Sequence, residues 1–468
     1  MSSSPNPIQI QGNNRGPRLV SEKVEALPII NHILTRLKIN EHFDRFVPCV
    51  DKRQKLPPSR GLGLLLRNLL IARKPLYAMG DWAAQFDPNS LGLCEGEPAL
   101  LNDDRIGRCL DSLFKADRIG FITSLVTEAA RAFDLDMSEL HNDSTSATLY
   151  GNYEMAVGQK KNGIQTKRIT YGYNKDHRPD LKQLLFILTT TADGSVPVWC
   201  KVDHGNVADD QTHIETWNSL CSTTGRADFL YVADSKLCTR ENMSHIDSRK
   251  GRFVTVMPKT RSEDSWFRDW IQQNEIPWTE LRRRKNSRYK EGPDEVYRGF
   301  ESPILSSEGY RIIWIWSSQK DHQDRTSRER RIKQASDELE SLRSTRMKSP
   351  KSRLKSVDAV KRAVDAIFKK TQADKWFEVE VTSKDHIEHN QAKAGRPSAN
   401  TPFIDIVCEE PVLSWNLKDE AIKYDSRTDG LFPLILNDKA MSLQQAFESY
   451  KRQPALEKRF EQLKSVMK

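Results

Sequence analysis

Cysteine is scarce and unorganised in this sequence. Seven residues in 468 (Cys49, Cys94, Cys109, Cys200, Cys221, Cys238 and Cys408) lie far apart, and none forms a Cys-x-x-Cys pair. An odd, scattered set supports neither a disulfide frame nor a zinc site, and it implies reduced thiols in a cytoplasmic protein. The ten histidines carry no metal-ligand spacing either. Long apolar runs are also missing. The most apolar stretch, Gly61–Ala72, is interrupted by Arg67 and Asn68, so it is too short and polar to cross a bilayer and is expected as a buried helix. The amino-terminal MSSSPNPIQIQGNN has no apolar segment behind a basic start, which excludes a secretory signal and predicts a disordered tail over residues 1–20.

What is present is length and a modest basic excess. A chain of 468 residues exceeds one ordinary core, so two or three lobes are expected. Lys and Arg outnumber Asp and Glu by 73 to 64, a formal charge of +9 that favours a polyanionic partner such as nucleic acid.

The periodicity changes along the chain. Between Val24 and Phe133 it is helical: Ile30, Ile33, Leu34 and Leu37 share one face, and Ile106, Leu110 and Leu113 follow Asp103 and Asp104, which can cap that helix. This gives an all-helical lobe over residues 21–135, read either as structural packing or as a DNA-end-binding module. From Leu140 the pattern becomes strand-like. Strands are expected at Leu140–Ala147, Gln183–Thr191 and Val196–Val202, the last two joined by an Asp193-Gly194 turn. A helix at Asp209–Leu220, a strand at Phe229–Ala233, a helix at Arg240–Ile246 and a strand at Arg252–Met257 follow. Three strands, helix, strand, helix, strand is the order of an RNase H-like α/β core, so the fold class is α/β, with residues 136–260 as the first part of that core. Residues 261–438, without an internal repeat, are expected as one inserted mixed α/β lobe. Residues 439–468 supply a last helix, whose apolar stripe Leu456, Phe460, Leu463, Met467 can dock on a sheet.

Enzymes that cut phosphodiesters with two divalent ions gather carboxylates from separate elements, because hard cations demand oxygen ligands around metals roughly 3.5–4 Å apart. Asp143 lies in His-Asn-Asp-Ser-Thr-Ser on the first strand, and Asp234 closes the fourth strand within Val-Ala-Asp-Ser-Lys. In an RNase H-like sheet those strands are neighbours. On the last helix, at about 100° per residue, Gln453, Glu457 and Lys464 share an arc beside the apolar stripe. Pro454 removes a backbone donor, so a kink or a fresh helix start is expected there. Glu461, about 40° from Glu457, is the rival third carboxylate.

The window Tyr450-Lys-Arg-Gln453-Pro-Ala-Leu-Glu457-Lys-Arg-Phe-Glu-Gln-Leu-Lys464 resembles the last catalytic helix of the DDE transposases of bacterial insertion sequences, in the superfamily with the signature Tyr-x2-Arg-x3-Glu-x6-Lys. Tyr, Glu and Lys match at the right spacing, while Gln453 stands at the Arg position, which touches one phosphate contact and not the metal site. The resemblance runs from about residue 20 to the end and takes in Gly205-Asn206-x3-Asp210 and the segment from Tyr424 to Gly430. It implies that Asp143, Asp234 and Glu457 hold two magnesium ions, for which manganese can substitute, and that Tyr450 and Lys464 contact DNA phosphates. It further implies hydrolysis at transposon ends, attack of the freed 3′ hydroxyl on target DNA, and a homodimer on paired ends. Relatives continue with further helices where this chain stops four residues after Lys464, so a truncated or inactive end-binding protein is the competing expectation, and a general structure-selective nuclease a third.

Other features have two readings each. The basic runs Arg282–Lys285 and Arg325–Lys333 are either DNA-backbone tracks or solvated faces. Gly395-Arg396-Pro397 is either a minor-groove contact or a loop turn. His141 either tunes the site or is a strand residue, and Trp266, Trp270, Trp314, Trp316 and Trp376 either stack on a base or fill a core.

Overall fold

The computed structural model describes residues 21–49, 54–161, 163–285, 292–347, 354–392 and 402–466. The expected tail over 1–20 and the Gly395-Arg396-Pro397 segment lie outside the described residues. The chain divides into two compact units, one formed by residues 1–255, 436–438 and 448–468, the other by 256–435 and 439–447.

The first unit opens with helices α1 (Leu27–Arg36), α2 (Ile39–Phe46), α3 (Pro58–Ile71), α4 (Met79–Ala83), α5 (Asp103–Lys115) and α6 (Arg118–Phe133). They enclose a core of Leu34, Phe43, Leu62, Leu64, Trp82, Phe86, Ile106 and Cys109. α3 covers the apolar run of the sequence, and the two polar residues of that run are buried with hydrogen-bond partners. The Arg67 guanidinium donates to Asn31 Oδ1 at 2.9 Å and to the Gly63 carbonyl at 3.0 Å. The Asn68 side chain closes the helix end on Lys74, donating to its carbonyl at 2.8 Å and accepting from its N–H at 2.9 Å. The cap of α5 differs from the expectation. Asn102 Oδ1 accepts from the Arg105 N–H at 2.9 Å, while Asp103 and Asp104 fill the first turn, where negative charge favours the positive end of the helix dipole. Within the α1 stripe Leu34 is buried but Ile33 is 42 % exposed.

The sheet of this unit comprises β1 (Glu139–Leu149), β4 (Lys182–Thr191), β5 (Pro197–Asp203), β6 (Leu230–Ala233) and β7 (Arg252–Val256), with the short ribbon β2 (Lys160–Lys161) and β3 (Ile164–Gln165) between β1 and β4. The strand order is β5-β4-β1-β6-β7. β4 and β5 run antiparallel to their neighbours, and Gly194 at φ +66° supplies the left-handed turn residue between them. β1, β6 and β7 run parallel, which requires crossovers: α7 (His213–Thr224) precedes β6 and α8 (Arg240–Ser248) precedes β7. Asp209–Thr212, expected as the start of α7, is a separate 3-10 turn.

The second unit holds α9 (Ser262–Gln273), β8 (Thr279–Arg284), β9 (Glu295–Glu301), β10 (Arg311–Ser317), α10 (Ser318–Ser341), α11 (Val357–Thr371), the long antiparallel ribbon of β11 (Phe377–Gln391) and β12 (Phe403–Leu417), α12 (Asp419–Arg427) and β13 (Leu431–Leu436). Four of its strands follow the order β13-β10-β9-β8. Trp314 is fully buried and stacks on Phe267 at 3.9 Å, and Trp376 is buried with its indole N–H donating to Asp425 at 2.7 Å. Both are core residues.

The chain closes with α13 (Leu443–Arg452) and α14 (Pro454–Val466). The break falls at Gln453–Pro454, where a proline without an N–H begins the new helix at no hydrogen-bond cost.

Candidate active site

Asp143 and Asp234 are brought together by the parallel register of β1 and β6. Leu140 pairs with Tyr231 and His141 with Val232, so Asp143 and Asp234 are each two residues beyond the last paired residues. Neighbouring strands are about 4.8 Å apart and side chains alternate, which sets the two carboxylates level and on one face. That proximity is felt electrostatically. Burial pushes the Asp143 carboxyl up to about 6; the Lys175 ammonium opposes the shift and the charge of Asp234 adds to it. Asp234 also caps the 3-10 turn Ser235–Leu237, its Oδ1 accepting from the Lys236 N–H at 3.0 Å. The ordinary capping role and the candidate chemical role therefore coexist in one side chain.

The face that carries Asp143 is the face on which α14 docks. Asp143 is opposite Leu188 on β4, and directly opposed antiparallel residues share a face. Leu188 packs with Leu456 and Phe460 of α14, with Phe186 and Cys200 at the margin. Half of the predicted stripe thus docks as expected, Leu463 is half-buried, and Met467 lies outside the described residues. Along that same face β1 and the last helices form a ladder of polar rungs. Glu139 Oε2 accepts from Ser449 Oγ at 3.1 Å and from Arg452 at 2.7 Å. His141 Nδ1 meets Gln453 Oε1 at 2.9 Å, and its Nε2 meets Glu139 Oε1 at 2.9 Å. Gln453 Nε2 donates to the Asn142 carbonyl at 2.9 Å. The next positions in this progression are Asp143 on the strand and Glu457 one turn further along the helix.

Burial raises the Tyr450 phenol, and the charges of Asp234 and Glu457 raise it further. Glu457 itself is exposed. Among the described residues no three His, Cys, Asp or Glu side chains converge closely enough to hold an ion. Lys464 is not directed to open solvent; its ammonium pairs with Asp176 at 2.7 Å.

Several residues with no place in the sequence reading belong to this neighbourhood. Lys175 lies 3.5 Å from Asp143 and 3.1 Å from Asp209. On the other face of the sheet, His213 Nδ1 meets the Tyr231 hydroxyl at 3.1 Å. Burial lowers the His213 imidazole to about 4, against the pull of Asp234, Asp209 and Asp210. Its Nε2 is buried without a partner among the described residues. His141, read as a site tuner or a strand residue, is a clamp between Glu139 and Gln453. A lysine or histidine that meets its partners across thirty or three hundred residues leaves no local pattern, and only the Gly205-Asn206-x3-Asp210 motif pointed to this part of the chain.

Three cations of the basic runs are used internally, while Arg325, Arg330 and Lys333 are exposed. Arg283 pairs with Glu280 and Arg284 with Glu295, each at 2.6 Å. Arg328 makes a buried, two-pronged pair with Asp429 at 2.7 Å on both prongs.

Two of three comparisons with known proteins found a counterpart. A family model described as a domain of unknown function (DUF4277) matches residues 19–127, the helical part of the chain. No curated protein matches. Among solved structures, the cryo-EM structure of the piggyBac transposase synaptic complex with hairpin DNA aligns with 9 % identity and a TM-score of 0.29, over 63 % of this chain and 59 % of that one. The match thus spans less than two thirds of that chain's length, and a likeness of this size carries no argument about either fold or function. No helix among the described residues is long and apolar enough to cross a membrane.

Proposed function

We propose that this chain is a DDE-type DNA transposase that cuts DNA at transposon ends and joins the freed ends to target DNA, acting as a homodimer on paired ends. The observation that carries the reading is the level placement of Asp143 and Asp234 on adjacent parallel strands, on the face covered by the helix that bears Glu457. The order β5-β4-β1-β6-β7, antiparallel on one side and parallel on the other, supports an RNase H-like catalytic core. The match of Tyr450, Glu457 and Lys464 to the signature spacing supports the same family.

The donor set suits a small hard cation such as magnesium or manganese. Asp143 and Asp234 each give one oxygen to a backbone N–H, of Ser144 and Lys236. Each Oδ2 is left without a hydrogen-bond partner among the described residues. When bound, such a cation supplies an activated water and stabilises the leaving oxygen. The residues that would hold it are Asp143 and Asp234, with Glu457 of α14 as the third carboxylate. Tyr450 and Lys464 orient DNA phosphates, and for this Lys464 exchanges Asp176 for the nucleic acid. Gln453, at the Arg position of the signature, serves packing in place of a phosphate contact.

A second reading, an end-binding protein that does not cut, is favoured by the exposure of Glu457. Single-turnover cleavage of linear DNA carrying the sequences that flank the gene, with magnesium or manganese, decides between them. Asp234→Asn keeps an acceptor for the Lys236 N–H and removes the charge. It is expected to bind the same DNA but to cut more than about 100-fold more slowly, about 2.7 kcal/mol of barrier. Undiminished cutting by that variant, or intact DNA with the natural chain, overturns the proposal.

A further inference from the structure

The Lys175 ammonium is held more completely than a surface lysine requires. Its Nζ donates to the Ser144 carbonyl at 2.6 Å and to Ser144 Oγ at 3.0 Å, and it pairs with Asp209 Oδ2 at 3.1 Å and Asp143 Oδ1 at 3.5 Å. The loop that presents it is fixed to β1. The Lys175 N–H donates to Ser146 Oγ at 3.2 Å, Asn174 Nδ2 donates to Thr148 Oγ1 at 3.1 Å, and Thr148 Oγ1 donates to Asp176 Oδ2 at 3.1 Å. Asp176 in turn takes Lys464 from α14.

This arrangement divides the acidic centre into two halves. On one side, Asp143 Oδ1 and Asp209 Oδ2 are occupied by the ammonium. On the other, Oδ2 of Asp143 and Oδ2 of Asp234 remain without a hydrogen-bond partner among the described residues. Two carboxylate oxygens plus water suffice for one magnesium-like ion, which keeps several waters of its own. A second ion on the Asp209 side would have to displace a cation already held by four oxygens. His213 adds no charge there, since burial keeps its imidazole neutral at ordinary pH.

We infer that Lys175 is a resident cation of this centre, taking the place of one of the two divalent ions, so that Asp143 and Asp234 bind one ion and not two. The inference rests on the proposed function insofar as it takes Asp143 and Asp234 as ion ligands, and its test separates the two claims. Manganese binding to the purified full-length chain, without DNA, is counted by electron paramagnetic resonance of the unbound ion. The natural chain is expected to bind one ion more than an Asp143→Asn, Asp234→Asn double variant. Lys175→Met, which keeps the length and removes the charge, is expected to bind one ion more than the natural chain, or the same ion at least tenfold more tightly. Lys175→Arg keeps the charge and is expected to match the natural chain. If Lys175→Met does not fold, as judged by circular dichroism, Lys175→Gln carries the comparison. Unchanged count and affinity without the lysine charge, or two ions at the aspartates with Lys175 in place, overturn the role of the lysine alone. Equal binding by the natural chain and the double aspartate variant overturns the ion site, and the inference with it.

Discussion

Asp143 and Asp234 stand level on adjacent parallel strands, each two residues past the pair His141 and Val232. The relationship is set by register, so any variant that preserves the β1 to β6 pairing preserves the spacing of the two acids. Burial is the main reason that Asp143 ionises reluctantly, and the charge of Asp234 beside it adds to the effect.

The third acid can be identified by an exchange that keeps the side-chain shape and removes the charge. Glu457 follows Leu456, which is buried against β4, and its charge acts on Tyr450 together with that of Asp234. Glu461 is exposed one turn further on. Glu457→Gln is expected to cut DNA more than about 100-fold more slowly with binding intact, and Glu461→Gln to stay within about threefold of the natural chain. Single-turnover rates decide, and the reverse ranking would move the site one turn along α14.

Gln453 is expected to matter for stability. Its amide satisfies the His141 ring on one side and the Asn142 carbonyl on the other, so Gln453→Ala leaves a buried ring nitrogen and a carbonyl without their partner. A cost of about 1–3 kcal/mol follows. Exposed Lys458, changed to Ala, should move stability by less than about 0.5 kcal/mol. Urea unfolding of the two variants compares them directly. Equal midpoints would mean that the clamp between β1 and the helix break adds nothing.

Acid stability of the second unit should carry the mark of Glu263. Its side chain pairs with Arg261 at 2.9 Å and accepts from the Ser307 N–H at 2.8 Å. The Arg261 hydrogen bond, with the Ser307 N–H, outweighs burial and holds the carboxyl down to about 2 from an ordinary 4.5. A carboxyl lowered in the folded state gives stability that is complete above its unfolded value and is lost as pH falls through its folded value. The advantage of the natural chain over Glu263→Gln should therefore be constant above about pH 4.5 and shrink between there and about pH 2. Thermal unfolding across that range reads it, and a difference independent of pH would contradict the assignment.

Local patterns made much of the frame legible before the structure. Alternation in β4, the Asp193-Gly194 turn and the compact apolar run of β6 each act over a few residues, and they fall where period and turn chemistry put them. The break at Pro454 is equally local. The α5 cap went to Asn102 and not to the following aspartates because one residue of offset is below what periodicity resolves. Lys175 and Asp209 were not legible at all. Their partners are set by how the loop after β3 folds back on β1, and no spacing rule encodes that. Gln453 reads from sequence as a missing phosphate contact, whereas in the fold it is a partner of His141 and Asn142.

The most direct measurement is the location of a divalent ion by anomalous diffraction from crystals of the full chain soaked in manganese. The account predicts a peak between Asp143 and Asp234, about 2.1 Å from an Oδ2 of each, as a small hard cation requires, and no second peak on the Asp209 side where Lys175 sits. Manganese bound elsewhere in the crystal with the two aspartates bare would contradict the claim that they form an ion-dependent DNA-cutting centre.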